Sequence, residues 1–237
     1  MTTARRLWTV LLLAAVPFLV KLCVLTVGAT GYGWQSLYKI AQLAIPICWR
    51  RTVDRRRGWA MFWPVDEPLP GRRTWGIAVG VAAALAGSAV FGILFVAPQV
   101  GIDADPSELR RGFDERFTLT PTTAVLVVLY LLTLNAALEE LHFRAWLDRE
   151  LSARMGNAAG IAISSTAFAL MHLFIFAGLP GAGAAVFVAV FLGLVTAGLA
   201  WSLIARLPGG IHAAWLSHGL TDAGLLTWGL FWLGYFG

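Results

Sequence analysis

The sequence predicts an all-α protein, a polytopic bundle of transmembrane helices. Three observations carry that expectation: 58% of the 237 residues are hydrophobic and only 13% charged, the mean hydropathy is +0.73, and several long runs carry no charge. A soluble domain has roughly twice this share of charged residues.

About 20 apolar residues are needed to cross the hydrocarbon core as a helix. Seven segments approach that length: Leu7 to Gly28, Trp34 to Trp49, Trp75 to Val96, Thr122 to Leu147, Asn157 to Ala177, Ala182 to Ala205 and Gly209 to Phe236. The second is short and carries Lys39. The seventh is long enough to hold one tilted span, or a span and a re-entrant turn, so the expectation is seven spans, or eight. The first apolar stretch runs on to Gly28, longer than a typical cleaved leader, and reads as a retained span.

Arginine placement orients the set. Arg5 and Arg6 precede the first span, and seven arginines lie between Arg50 and Arg73. The connection from Ala97 to Pro121 instead holds five acidic residues against three arginines. By the positive-inside rule this places the N-terminus in the cytoplasm. The formal net charge of +5 then serves an anionic inner leaflet, and nucleic acid is not an expected partner. Cys23 and Cys48 lack metal-like spacing and carry no redox reading.

The chain changes character near Pro121. Residues 1–121 hold three expected spans, a basic inner loop and a polar outer loop, where Asp105, Pro106 and Ser107 resemble a helix start. Residues 122–237 hold spans joined by tight Gly/Pro punctuation at Gly178 to Gly183 and Leu207 to Gly210.

This second half also holds the ionisable groups that apolar segments ordinarily lack. Of 13 acidic residues only Glu139, Glu140 and Asp222 fall in such segments, and all four histidines (His142, His172, His212, His218) lie within or beside them. A charged side chain at a bilayer helix centre costs roughly 2.5–3.5 kcal/mol on insertion scales, so several together require partners or a purpose. Spacing supplies some partners. Glu140 and Arg144 are four apart on one helical face, as are His218 and Asp222, and Phe168 and His172. Glu139 lies about 100° around the helix from Glu140, so the two carboxylates need not point the same way. His142 and His212 read more simply as packing residues.

Three ordered motifs result: EExxxR from Glu139 to Arg144, FxxxH from Phe168 to His172, and HxxxD from His218 to Asp222. Together they resemble the CPBP family of intramembrane proteases, which includes CAAX prenyl endopeptidases and bacteriocin-processing relatives. The resemblance spans about Thr122 to Leu230. It implies an endopeptidase acting on a membrane protein or C-terminally tagged peptide within the lipid bilayer. It also implies roles: Glu139 as the base that activates water, helped by His172; His218 and Asp222 at the oxyanion or the water; Glu140 and Arg144 shaping the site. Many members have Asn where this chain has Asp222, and an ionised Asp cannot donate to an oxyanion, so Asp222 is expected to orient His218.

Glu139, His172 and His218 are also the donor types of a His2Glu zinc site. The HExxH spacing is absent, and the resemblance implies a glutamate-based hydrolase needing no metal or other cofactor. Two other readings use the same residues: a transporter or proton relay lined by Glu139, His172, His218 and Asp222, and a silent scaffold or immunity protein of the same fold. Oligomeric state and substrate are not written in these motifs.

Overall fold

The computed structural model describes residues 3–27, 37–61, 67–98, 105–117, 120–176 and 183–235. Among them the regular elements are all helical. Among the described residues, beside a short 3-10 turn at Gly58–Met61, there are eight longer helices: α1 (Thr3–Thr26), α2 (Tyr38–Thr52), α3 (Arg72–Val96), α4 (Pro106–Phe117), α5 (Pro121–Met155), α6 (Asn157–Phe176), α7 (Ala184–Ile204) and α8 (Gly210–Trp232).

By length and apolarity four of these suit a membrane crossing: Ala4–Val24 in α1, Arg72–Val96, Pro121–Met155 and Ala184–Ile204. This is an integral membrane protein, and the expected count of seven spans is not reached on this criterion. The reason lies in the helices that fall short. α2 is a 15-residue helix whose buried face carries Lys39, Gln42 and Arg50, and about 22 Å of helix does not cross the core. Residues 34–36 of that expected span lie outside the described residues. α8, too, spends positions on Ser217, His218, Thr221 and Asp222.

α5 starts on a reciprocal cap. Thr120 Oγ1 accepts from the Thr123 amide at 3.2 Å, Thr123 Oγ1 accepts from the Thr120 amide at 2.7 Å, and Pro121 follows the cap. The helix is 35 residues long, about 52 Å, so its charged last turns project beyond the hydrocarbon. Two stretches, Leu131–Asn135 and Glu140–Asp148, are π-helical; such widened turns re-aim side chains and recur at functional sites. Gly156, with φ +86°, takes the left-handed turn from α5 to α6 that L side chains resist.

α6 packs along α7, and α8 packs between α3 and α5. At the second contact the Cβ of any residue replacing Gly219 would collide with the Leu132 carbonyl oxygen, inside the first π stretch. Gly219→Ala is therefore expected to cost about 1–3 kcal/mol, read as a lowered unfolding midpoint in detergent. Gly193→Ala, where a Cβ meets nothing within 4 Å, is the control.

The expected outer helix is present as α4, and Asp105 starts it: its carboxylate accepts from the Ser107 hydroxyl at 2.7 Å and the Ser107 amide at 2.8 Å. Those bonds, the hydroxyl first, hold the Asp105 carboxyl below its usual range. Arg110 donates to the Gly234 carbonyl at 2.9 Å, and the Tyr235 hydroxyl donates to Asp114 at 2.6 Å, tying α4 to the end of α8. Of the expected turn at Gly178 to Gly183, only Gly183 lies within the described residues, as the cap of α7. In the Leu207 to Gly210 turn, Gly209 adopts φ +68° before α8.

Candidate active site

The site forms where α5 meets α6, α7, α8 and α2. Glu139 ends a regular helical turn and Glu140 opens the second π stretch, while His172 comes from α6 and His218 and Asp222 from α8. Glu139, Glu140, Arg144 and His218 are each at most 1% exposed.

His218 is the hub. Its Nδ1 lies 2.9 Å from Glu140 Oε1, and its Nε2 lies 3.4 Å from Glu139 Oε2 and 3.5 Å from Asp222 Oδ2. The adjacent carboxylates thus address opposite nitrogens of one imidazole. His172 Nε2 is 3.5 Å from the same Glu139 oxygen. His172 Nδ1 lies 2.8 Å from the Phe168 carbonyl; a carbonyl only accepts, so Nδ1 carries a hydrogen and Nε2 is the nitrogen turned to Glu139.

Arg144 Nη1 stands 3.1 Å from Glu140 Oε1, and its Nη2 donates to the Gly198 carbonyl at 3.3 Å. The guanidinium lies over Phe168 and Trp201 at 4.7 and 5.3 Å. Trp201 in turn stacks on His218, centroids 3.9 Å apart at 15°. Buried charges are tolerable only when paired and hydrogen-bonded, and this aromatic-walled arrangement supplies the pairing. All six residues expected from the motifs therefore fall into one connected cluster.

Lys39 of α2, itself buried, donates to Glu139 Oε1. Asp222, expected to orient His218, lies 3.5 Å from its Nε2, and Glu140 comes nearer, 2.9 Å from its Nδ1. The segment 1–121, outside the family resemblance, thus contributes a contact residue. The sequence signal for Lys39 was its lone charge in a short apolar segment. Trp201 gave no signal, since a tryptophan in an apolar run reads equally well as lipid-facing. His142 is fully buried against Phe143 and Trp146, ring centroids 5.0 Å away in both cases, as expected of a packing residue.

For a metal the fit is poor. Among the described residues no group of three or more His, Cys, Asp or Glu is disposed to hold an ion, and the Lys39 ammonium against Glu139 would repel a second cation.

Fold and cluster together define an integral membrane protein with a buried centre of carboxylates and imidazoles. Residues 121–224, which contain all three motifs, match the model of the Rce1-like family, the type II CAAX prenyl endopeptidases, and that segment is similar to the family. Lys39 lies outside the match. No curated protein and no solved structure matches the chain.

Proposed function

We propose that the protein is an intramembrane endopeptidase that hydrolyses a peptide bond of a membrane-associated or C-terminally tagged protein. The carrying observation is the Glu139 carboxylate, buried and within 3.5 Å of two imidazoles from two other helices. At 3.4–3.5 Å neither imidazole makes a close hydrogen bond to Glu139 Oε2, which leaves that buried oxygen able to accept from a water placed beside it. A water donating to Glu139 Oε2 and to His172 Nε2 would turn its oxygen toward a carbonyl carbon. Glu139 then takes a proton as the oxygen adds, and later gives it to the leaving amine. Glu140 fixes His218 through Nδ1, Arg144 fixes Glu140, and Asp222 flanks the far nitrogen. No step uses a metal.

The arginine-rich connection before α3 supports a cytoplasmic N-terminus, as in a bacterial inner membrane. Glu139 lies about 17 residues, roughly 26 Å, into a helix that would run from outside to inside, which puts cleavage near the cytoplasmic face.

The test is to co-express candidate membrane substrates with wild type, Glu139→Ala and His172→Ala. Cleavage by wild type alone is expected; cleavage persisting in both variants ends the assignment. Loss of a proton-coupled flux with no substrate ever cut would favour a relay. For purified enzyme, added chelator is expected to leave the cleavage rate unchanged.

A further inference from the structure

Attack on a carbonyl leaves negative charge on its oxygen, and preorganised donors at that oxygen are among the largest contributions to such catalysis. Among the charged and imidazole groups that contact Glu139 or its partners, most donors are already committed. Both His218 nitrogens face carboxylates. His172 uses Nδ1 on the Phe168 carbonyl and turns Nε2 to Glu139. An ionised Asp222 only accepts. Arg144 is committed to Glu140 and Gly198.

Lys39 differs. Its ammonium has three N–H donors and no acceptor, and one donor engages Glu139 Oε1. It is also held by a built support. Its Nζ lies 4.8 Å from the Tyr38 ring centroid, and Lys21 Nζ lies 4.6 Å from the same ring. Lys21 donates to the Met171 carbonyl at 3.2 Å, and Gln42 Nε2 contacts Met171 Sδ at 3.3 Å, locking α1 and α2 onto the turn that carries His172.

Building on the endopeptidase reading, we infer that Lys39 is a catalytic residue that donates to the oxyanion of the tetrahedral intermediate. As the water oxygen bonds to the carbonyl carbon, its proton passes to Glu139 and the carbonyl π electrons move to oxygen. The Lys39 ammonium keeps its protons and hydrogen-bonds that oxygen. On collapse the C=O re-forms, the C–N bond breaks with its electron pair on nitrogen, and nitrogen takes the proton from Glu139. Lys39 thus supplies the donor that Asp222, as a carboxylate, does not.

The test uses the full chain reconstituted in liposomes with a cleavable membrane reporter, comparing wild type with Lys39→Met, Lys39→Gln and Lys39→Arg. Expected is a fall in kcat of about 10²–10³-fold for Met and Gln with KM little changed, and recovery of most of that loss in Lys39→Arg, which keeps charge and donors. Thermal unfolding is followed for each variant; if Met does not fold, Gln against Arg carries the comparison. A wild-type kcat in the neutral variants, or a rise in KM alone, overturns the inference. Glu139→Gln is run alongside. If wild type leaves the reporter uncut, the endopeptidase reading falls and this inference with it; if Glu139→Gln cleaves normally, Glu139 is not the base and the step written here is overturned; if Glu139→Gln is inactive while Lys39→Met is fully active, only the role of Lys39 falls.

Discussion

Glu139→Gln is expected to remove nearly all peptide cleavage, by about 10²–10⁴-fold, the range that a positioned general base contributes. The substitution keeps shape and hydrogen-bonding capacity but not the capacity to take a proton from water. It leaves the partners at Oε2, His172 and His218, without a carboxylate, and leaves the Lys39 ammonium buried beside a neutral amide. A loss of stability is therefore a second expected effect. Reporter cleavage per folded molecule, with folding judged by thermal unfolding in detergent, separates the two. Near-normal cleavage by well-folded Glu139→Gln would remove Glu139 from the chemistry.

Arg144→Met is expected to destabilise the protein by about 3–5 kcal/mol, the cost of leaving a buried ion without its partner. Glu140 has essentially no exposed surface, and without Arg144 its remaining contact is His218 Nδ1 at 2.9 Å. Methionine fills part of the space over Phe168 and Trp201, so the loss reports charge more than volume. The double variant Glu140→Gln with Arg144→Met removes both charges, and its destabilisation is expected to be smaller than the sum of the singles. Additive losses would show that the two side chains do not act as a pair.

The legible and illegible parts of this protein divide along a physical line. Glu139, Glu140, His218 and Asp222 stood out because charge in an apolar run is costly, and cost is visible in sequence. The start of α4 was legible for a similar local reason, since Asp105 caps its own helix. What spacing does not reveal is which distant segments meet. Lys39 sits 100 residues before Glu139, and nothing near it names its partner. Hydropathy also misjudges helices whose polar faces turn inward: α2 and α8 bury Lys39, Gln42, His218 and Ser217. The π stretches are hidden as well, since residue spacing assumes a regular helix; the spacing did allow Glu139 and Glu140 to point different ways, and they face opposite nitrogens of one imidazole.

The surface of the cluster is unevenly distributed. The Glu139 and His218 side chains are 1% exposed, while those of His172 and Asp222 are 15% and 26% exposed. A chain segment approaching from outside therefore meets α6 and α8 at those two residues first. A carbonyl within an intact helix is already engaged by an amide four residues on, and its carbon is shielded by the helix's own backbone until that turn opens. Susceptibility to cutting would then track how readily a stretch of backbone unravels into single file, more than which side chains flank the bond.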